Sequence, residues 1–181
     1  NMPAALNLKG TLNILALQKT FATLISRHEN LRVSFPKIKG EATLLFNQAD
    51  DSLETIDLTH LKKTEQELSL KTCIDDHSSQ KFNLTFGPLF KVSLIKLEKK
   101  EHTLLINMHH IISDGWSIGV LVKEFAVLYN ALVQNRDPNL PELKIQYTDY
   151  ASWQKKWLQG DRLAKQINYW KNKLSGAPQT L

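Results

Sequence analysis

Apolar residues recur at helical spacing near the start of the chain: Ile14, Leu17, Phe21, Leu24 and Ile25 fall three or four positions apart, or side by side. Asn13 precedes them, where a side-chain oxygen can cap the first turn. Together they predict a helix from Asn13 through about His28. Residues 4–9 read as a short strand before it. After it, β-branched and apolar residues predict a strand over Leu31–Phe35. Pro36 and Gly40 punctuate a turn, and Ala42–Phe46 and Glu54–Leu58 are further short strands. Residues 62–76 are rich in lysine and glutamate, with Leu68 as an apolar anchor, and predict a mostly exposed helix.

The pattern is stronger in the middle of the chain. Gly87-Pro88 ends a loop, and two strands follow, Leu89–Leu97 and Thr103–His109. The polar turn Glu98-Lys99-Lys100-Glu101 joins them as an antiparallel hairpin. Ile118, Leu121, Val122, Phe125, Leu128, Tyr129 and Leu132 form one continuous apolar stripe on a helix spanning about Ser117–Gln134. Pro138 and Pro141 mark a loop. One or two helices then run from Thr148 to Leu174, interrupted near Gly160. No internal repeat or low-complexity run is present. Intermixed strands and helices favour a sheet covered by helices.

Composition narrows the class. The chain has 181 residues, about one domain or one lobe of a larger one. Apolar residues make up 42% and charged residues 23%, ordinary values for a globular protein. No run of 18 apolar residues occurs, so no membrane span is expected. The segment Asn1–Leu6 lacks the features of a signal peptide and lacks an initiator methionine, as expected of a chain that begins inside a longer polypeptide. The net charge of +5 comes from scattered lysines. That distribution reads as a solvated surface rather than a nucleic-acid site, and could help dock an acidic partner protein. Cys73 is the only cysteine, so no internal disulfide is possible and a reducing, cytoplasmic setting fits. Cys73 lies in a polar stretch with no obvious basic partner to make it a nucleophile.

The informative segment runs from Leu104 to Ser117. Side chains alternate along a strand, so Leu104, Ile106, Met108 and His110 share one face and Leu105, Asn107 and His109 the other. One histidine of the pair can then face an open channel while the other is held by the core or a neighbouring element. A metal site is disfavoured, because adjacent strand histidines do not share one ion easily and Asp114 alone leaves too few ligands. Gly115-Trp116-Ser117-Ile118-Gly119 matches the serine-hydrolase elbow pattern. Five residues separate His110 from Trp116, however, and every histidine precedes Ser117, so a helix cap suits Ser117 better. General acid–base work by one histidine remains, since imidazole exchanges protons near neutrality and needs a partner to fix its tautomer. Asp114 is the local candidate, and could instead pair with an arginine and brace the loop. Gly115 suits a tight backbone or close approach by a substrate. Both histidines could equally be satisfied core or loop residues.

The full string Met108-His109-His110-Ile111-Ile112-Ser113-Asp114-Gly115-Trp116-Ser117 closely resembles the His-His-x-x-x-Asp-Gly signature of condensation domains from nonribosomal peptide synthetases. Arg27-His28-Glu29-Asn30-Leu31-Arg32 and Tyr147-Thr148-Asp149-Tyr150-Ala151-Ser152-Trp153-Gln154 resemble the family's flanking motifs, and Phe86-Gly87-Pro88-Leu89 also fits. The resemblance implies an α/β (α+β) two-layer sandwich, like the N-terminal lobe of chloramphenicol acetyltransferase, with a mixed sheet covered by helices. Residues 1–181 would be that lobe, without the family's most N-terminal motif and without the second lobe, and the lone lobe would be inactive. The implied reaction joins a donor acyl or peptidyl thioester to an acceptor aminoacyl thioester. The partners would be carrier proteins bearing 4'-phosphopantetheine, with an adjacent adenylation domain; no directly bound cofactor, metal, nucleic acid or membrane is expected.

By the same resemblance His110 is the active-site residue, as proton acceptor or as an orienting and stabilising group. Asp114 is structural and pairs with Arg27, Gly115 presents its backbone near the reacting carbonyl, and His109 supports by packing or hydrogen bonding. Tyr147 and Trp153 support structure. The motif looks more like members taking an L-configured donor, or starter members taking a fatty acyl donor, than heterocyclising or epimerising relatives. A stand-alone acyltransferase with the same motif and a non-catalytic carrier-docking module are the rival readings.

Overall fold

The computed structural model describes residues 1–49 and 53–178. They fall into two compact units, Asn1–Glu142 and Leu143–Leu181.

The first unit is built on a four-stranded sheet. Strand β1 (Met2–Lys9) leads into helix α1 (Ile14–Arg27), where Asn13 Oδ1 accepts the Ala16 N–H at 3.0 Å and caps the first turn. Leu17, Phe21 and Leu24 repeat on one face of α1 and are buried. The expected strand Leu31–Phe35 is shortened to β2 (Val33–Ser34), because Leu31 and Arg32 belong to a 3-10 turn, Glu29–Arg32. Buried Leu31 is drawn under α1 and its N–H bonds the His28 carbonyl at 3.0 Å, which curls the backbone. Strands β3 (Lys37–Ile38) and β4 (Glu41–Ala42) form a tight hairpin over Lys39-Gly40, both at positive φ. The expected strand Ala42–Phe46 is therefore split, and only β5 (Leu45–Phe46) continues, paired with β2.

Strand β6 (Glu54–Asp57) precedes helix α2 (Lys63–Ser79), and strands β7 (Phe90–Glu98) and β8 (Glu101–Met108) follow. The sheet order is β1-β8-β7-β6. β7 and β8 are the expected antiparallel hairpin, in register from Phe90–Met108 to Lys96–His102, with a shift before Glu98–Glu101. β1 pairs antiparallel with the other edge of β8. β6 runs parallel to β7, which requires the crossover that α2 supplies. Helix α3 (Gly115–Val133) completes the unit.

The mixed sheet under helices is as expected, but helices cover both faces, giving three layers rather than two. On one face Leu17, Phe21 and Leu24 of α1 and Leu128 of α3 pack with Phe90, Leu94, Leu104 and Met108. On the other, Leu70, Cys73 and Ile74 of α2 pack with Ile95, Leu97 and Leu105. The alternation read along β8 thus divides its residues between two cores. Leu68 is not the anchor of α2: it is 68% exposed, on the side away from Leu70, Cys73 and Ile74. Gln66 anchors the helix instead, donating to the Leu58 and Leu97 carbonyls at 3.0 and 2.9 Å. Burial pushes the Cys73 thiol up, helped by Asp76 and Glu54, which keeps it protonated.

The apolar stripe of α3 is also less continuous than its spacing implies. Leu121, Phe125 and Leu128 face the core, whereas Val122 points out and is 61% exposed. By length and composition alone α3 is long and apolar enough to cross a membrane, although Lys123 and Glu124 interrupt its apolar run. Its buried Leu128, and a Glu124 held by α1, engage it in this fold instead.

The second unit holds helices α4 (Tyr147–Trp157) and α5 (Gly160–Leu174), broken near Gly160 as expected. Gln146 and Asp149 cap α4 reciprocally. Tyr147, Tyr150, Trp153 and Trp157 follow one another in ring contact along it, tilted at the first two pairs and stacked at the last, and Arg162 lies over the Trp157 ring at 4.3 Å. Tyr147 and Trp153 are exposed, so their structural role is confined to this ladder.

Two buried histidines predict a pH dependence. Burial holds the His77 and His102 imidazoles below the usual range, with Lys91 and Lys96 respectively adding to the effect. Both rings are therefore protonated more readily in the unfolded chain. The stability they contribute is complete above the unfolded value, about 6.5, and is lost as pH falls through the folded values. The urea midpoint is expected to drop between about pH 7.5 and about pH 5.5; a flat midpoint would refute this.

Candidate functional site

Strand β8 ends at Met108, but the ladder gains one more bond, from the His109 N–H to the Leu89 carbonyl at 2.9 Å. The chain then turns sharply. The Ile112 N–H donates to the His109 carbonyl at 3.1 Å, and Asn30 Nδ2 donates to the Ile112 carbonyl at 3.4 Å. Ile112 is buried in the core. The turn is thus fastened to β7, to the segment after α1 and to the core.

The two histidines part company here. The His109 ring is half-buried and meets Phe82 edge-on, with 6.3 Å between centroids. Its Nδ1 accepts the Ile111 N–H at 3.0 Å, so the proton of the neutral ring sits on Nε2. Burial, then the N-terminal amine and His110, hold His109 below the usual range. The His110 ring is exposed.

Asp114 closes the turn as the N-cap of α3, where Oδ1 accepts the Ser117 N–H at 2.8 Å and the Ser117 hydroxyl at 2.7 Å. The Ser117 hydroxyl, then its N–H, hold the Asp114 carboxyl below its usual range, with smaller help from the Trp116 N–H and His110. Asp114 rather than Ser117 is therefore the cap. Gly115 is helical, and an added Cβ there would meet nothing within 4 Å. Its conformation does not demand glycine; the space beside it is open. Asp114→Ala is expected to lower the melting temperature at neutral pH, and Asp114→Asn, also a good cap, to restore it. The Ala deficit should shrink as pH falls through the depressed carboxyl value, because the parent loses its charged cap there. An unchanged melting temperature for Asp114→Ala would contradict the capping role.

The expected Arg27–Asp114 pair is corrected. Arg27 meets Glu124 of α3, with Nε to Oε2 at 3.1 Å and an Nη to Oε1 at 3.3 Å, and donates to the Pro141 carbonyl at 2.6 Å. His28 Nε2 is also 2.7 Å from Glu124 Oε2. Burial pushes the Glu124 carboxyl up, but the bonds from His28 and Arg27 outweigh it and hold it below the usual range. The brace therefore joins the end of α1 to the second half of α3, not to the histidine turn. Asp114 is committed to Ser117.

Phe82 and Glu124 support the site without standing in any of the motifs read from the sequence, and Asn30 stands in the motif that follows α1 but had no role assigned to it. For Glu124 a signal existed: it is the only acidic residue in the apolar stretch of α3. Phe82 lies in an irregular segment and carries no such mark.

Known proteins are similar to this chain in sequence and fold. Residues 1–181 match the Condensation domain family. A linear gramicidin synthase from Brevibacillus parabrevis is 44% identical over 182 residues, spanning all of this chain and 4% of that protein. Malpinin synthetase of Mortierella alpina is 41% identical, over all of this chain and 2% of that protein. The X-domain from teicoplanin biosynthesis superposes with a TM-score of 0.86 at 29% identity, covering 98% of this chain and 39% of that one. The starter condensation domain of rhizomide synthetase shares the fold, with a TM-score of 0.83 at 19% identity over 98% of this chain and 42% of that one. The chain thus spans a small fraction of the synthetases and about two-fifths of the solved domains. With the family matched end to end and the histidine turn in place, the chain belongs to the condensation domain family.

Proposed function

We propose that this chain forms the first lobe of a domain that makes amide bonds in nonribosomal peptide synthesis. The amine of an acceptor aminoacyl thioester on one carrier protein attacks the carbonyl carbon of a donor acyl or peptidyl thioester on another. A C–N bond forms, the tetrahedral oxyanion collapses and the C–S bond breaks. The departing thiolate of the donor's pantetheine arm takes up a proton, and the amine loses one. An adjacent adenylation domain would load the acceptor, in a cytoplasmic setting.

The observation that carries this reading is the exposed His110 ring on a turn fastened on every side, beside the open space at Gly115. A fixed imidazole in that position can take the amine proton, or orient the amine and stabilise the intermediate. Gly115 stands at the first position of α3, where backbone N–H groups lack intrahelical partners and the helix dipole is positive. An oxyanion placed there is stabilised. His109 supports by holding the turn. Asp114 fixes where α3 starts, and Arg27 acts at a distance through Glu124.

The test is amide formation between loaded carriers by the complete two-lobed domain and by its His110→Ala variant. A non-catalytic docking module would show no difference between the two. A stand-alone acyltransferase would prefer a free thioester and a soluble amine or alcohol to carrier-borne substrates. The isolated lobe, without the second lobe, is expected to make no product.

A further inference from the structure

Asn107 is an anomaly in the core sheet. It sits two residues before His109 on the same face of β8, is fully buried, and lies opposite Pro3 of β1 and Lys91 of β7, next along its face to buried Leu105. Its Nδ2 donates to the His77 carbonyl in the last turn of α2 at 2.5 Å. That orientation is forced, because a carbonyl partner requires the NH2 end of the amide. Carbonyls of a last helical turn have no intrahelical donor, so the bond serves both elements. The amide's Oδ1 has no partner among the described residues. A leucine of similar size would avoid that loss, so the amide is retained at a cost to packing. Departures of this kind are expected where function constrains a fold.

The bond has a geometric consequence. It pins the C-terminal end of α2 to the end of the strand that delivers the histidine pair. Three residues beyond α2, Phe82 meets the His109 ring edge-on. His109 in turn accepts the Ile111 N–H and so shapes the turn that presents His110. Asn107, the end of α2, Phe82 and His109 form a continuous series of contacts that ends at His110. Asn107 makes no approach to the open space at Gly115 in this series.

We infer that Asn107 is a positioning residue for His110, acting through α2, Phe82 and the His109 ring. This rests on the amide-forming reading of His110. The test uses the complete condensation domain with loaded carriers. Asn107→Asp keeps the size and removes the donor; Phe82→Ala removes the ring edge, and Phe82→Tyr keeps it. Asn107→Asp and Phe82→Ala are expected to lower kcat about tenfold to a hundredfold with KM for the carriers unchanged, the scale of a small misplacement of a reacting group. Phe82→Tyr should retain parent kcat. The His109 ring-nitrogen NMR signal, that of a fixed Nε2–H tautomer in the parent, should shift toward exchange-averaged values in the two impaired variants.

Folded Asn107→Asp with parent kcat would overturn the inference. So would a loss of kcat matched only by a loss of folded protein, with the His109 signal unmoved. If Asn107→Asp does not fold, the Phe82 pair decides alone, and equal kcat for its Ala and Tyr variants overturns the proposal. A His110→Ala control separates the two levels: full activity there removes the reading underneath, whereas an inactive control with active Asn107→Asp removes only the positioning role.

Discussion

In the complete domain, His110→Ala is expected to slow amide formation between loaded carriers by about 10²- to 10⁴-fold, the usual cost of losing a positioned acid–base group. The melting temperature should stay near that of the parent, because the ring is exposed and the turn is fastened by its neighbours. This combination matters. His109→Ala removes a half-buried ring that bonds Ile111 and meets Phe82, so it should lose stability along with rate. A His110→Ala enzyme within about threefold of the parent would exclude acid–base work, since that is far below the expected cost. A fall in kcat with unchanged KM for the carriers would place the imidazole's contribution in the transition state rather than in docking.

Glu124→Ala should be the most damaging single change to stability away from the sheet core, costing about 3–5 kcal/mol. The carboxylate takes two bonds from Arg27 and one contact from His28, and side chains of Arg27 and Glu124 are only 15% and 12% exposed. Removing it takes the carboxylate away from a mostly buried Arg27 cation, which also donates to the Pro141 carbonyl. Urea unfolding of the variant and of an Arg27→Met, Glu124→Leu double variant measures this. The double variant should recover much of the loss, since a buried pair replaced by apolar residues is often no worse than the pair. Additive losses would mean that Arg27 and Glu124 act independently. Acid should reproduce part of the effect. The depressed Glu124 value means that its contribution is present above the unfolded carboxyl range and disappears as pH falls through the folded value.

The hairpin of β7 and β8, helix α1 with its Asn13 cap, and the break near Gly160 were all legible in the residues, because each depends on chemistry within a few positions. The misreadings share a cause. Leu31–Phe35 has the composition of a strand, but burial of Leu31 beneath α1 curls it. Leu68 is the obvious apolar residue in a polar helix, yet the face of α2 that meets the sheet is chosen by Leu70, Cys73 and Ile74 together with Gln66. Val122 belongs to the stripe by spacing and to solvent in the fold.

By itself the sequence determined the family, the alternation that separates the faces of β8, and the short-range devices that cap and turn the chain. Those are settled locally, by the donor and acceptor geometry of neighbouring residues. Only the tertiary structure decided that Arg27 meets Glu124, 97 positions away, rather than Asp114. It also decided that His109 is clasped while His110 stands free. Charge and size made both carboxylates eligible partners for Arg27. The crossing of α1 over α3 brought one of them within reach, and the helix cap had already committed the other.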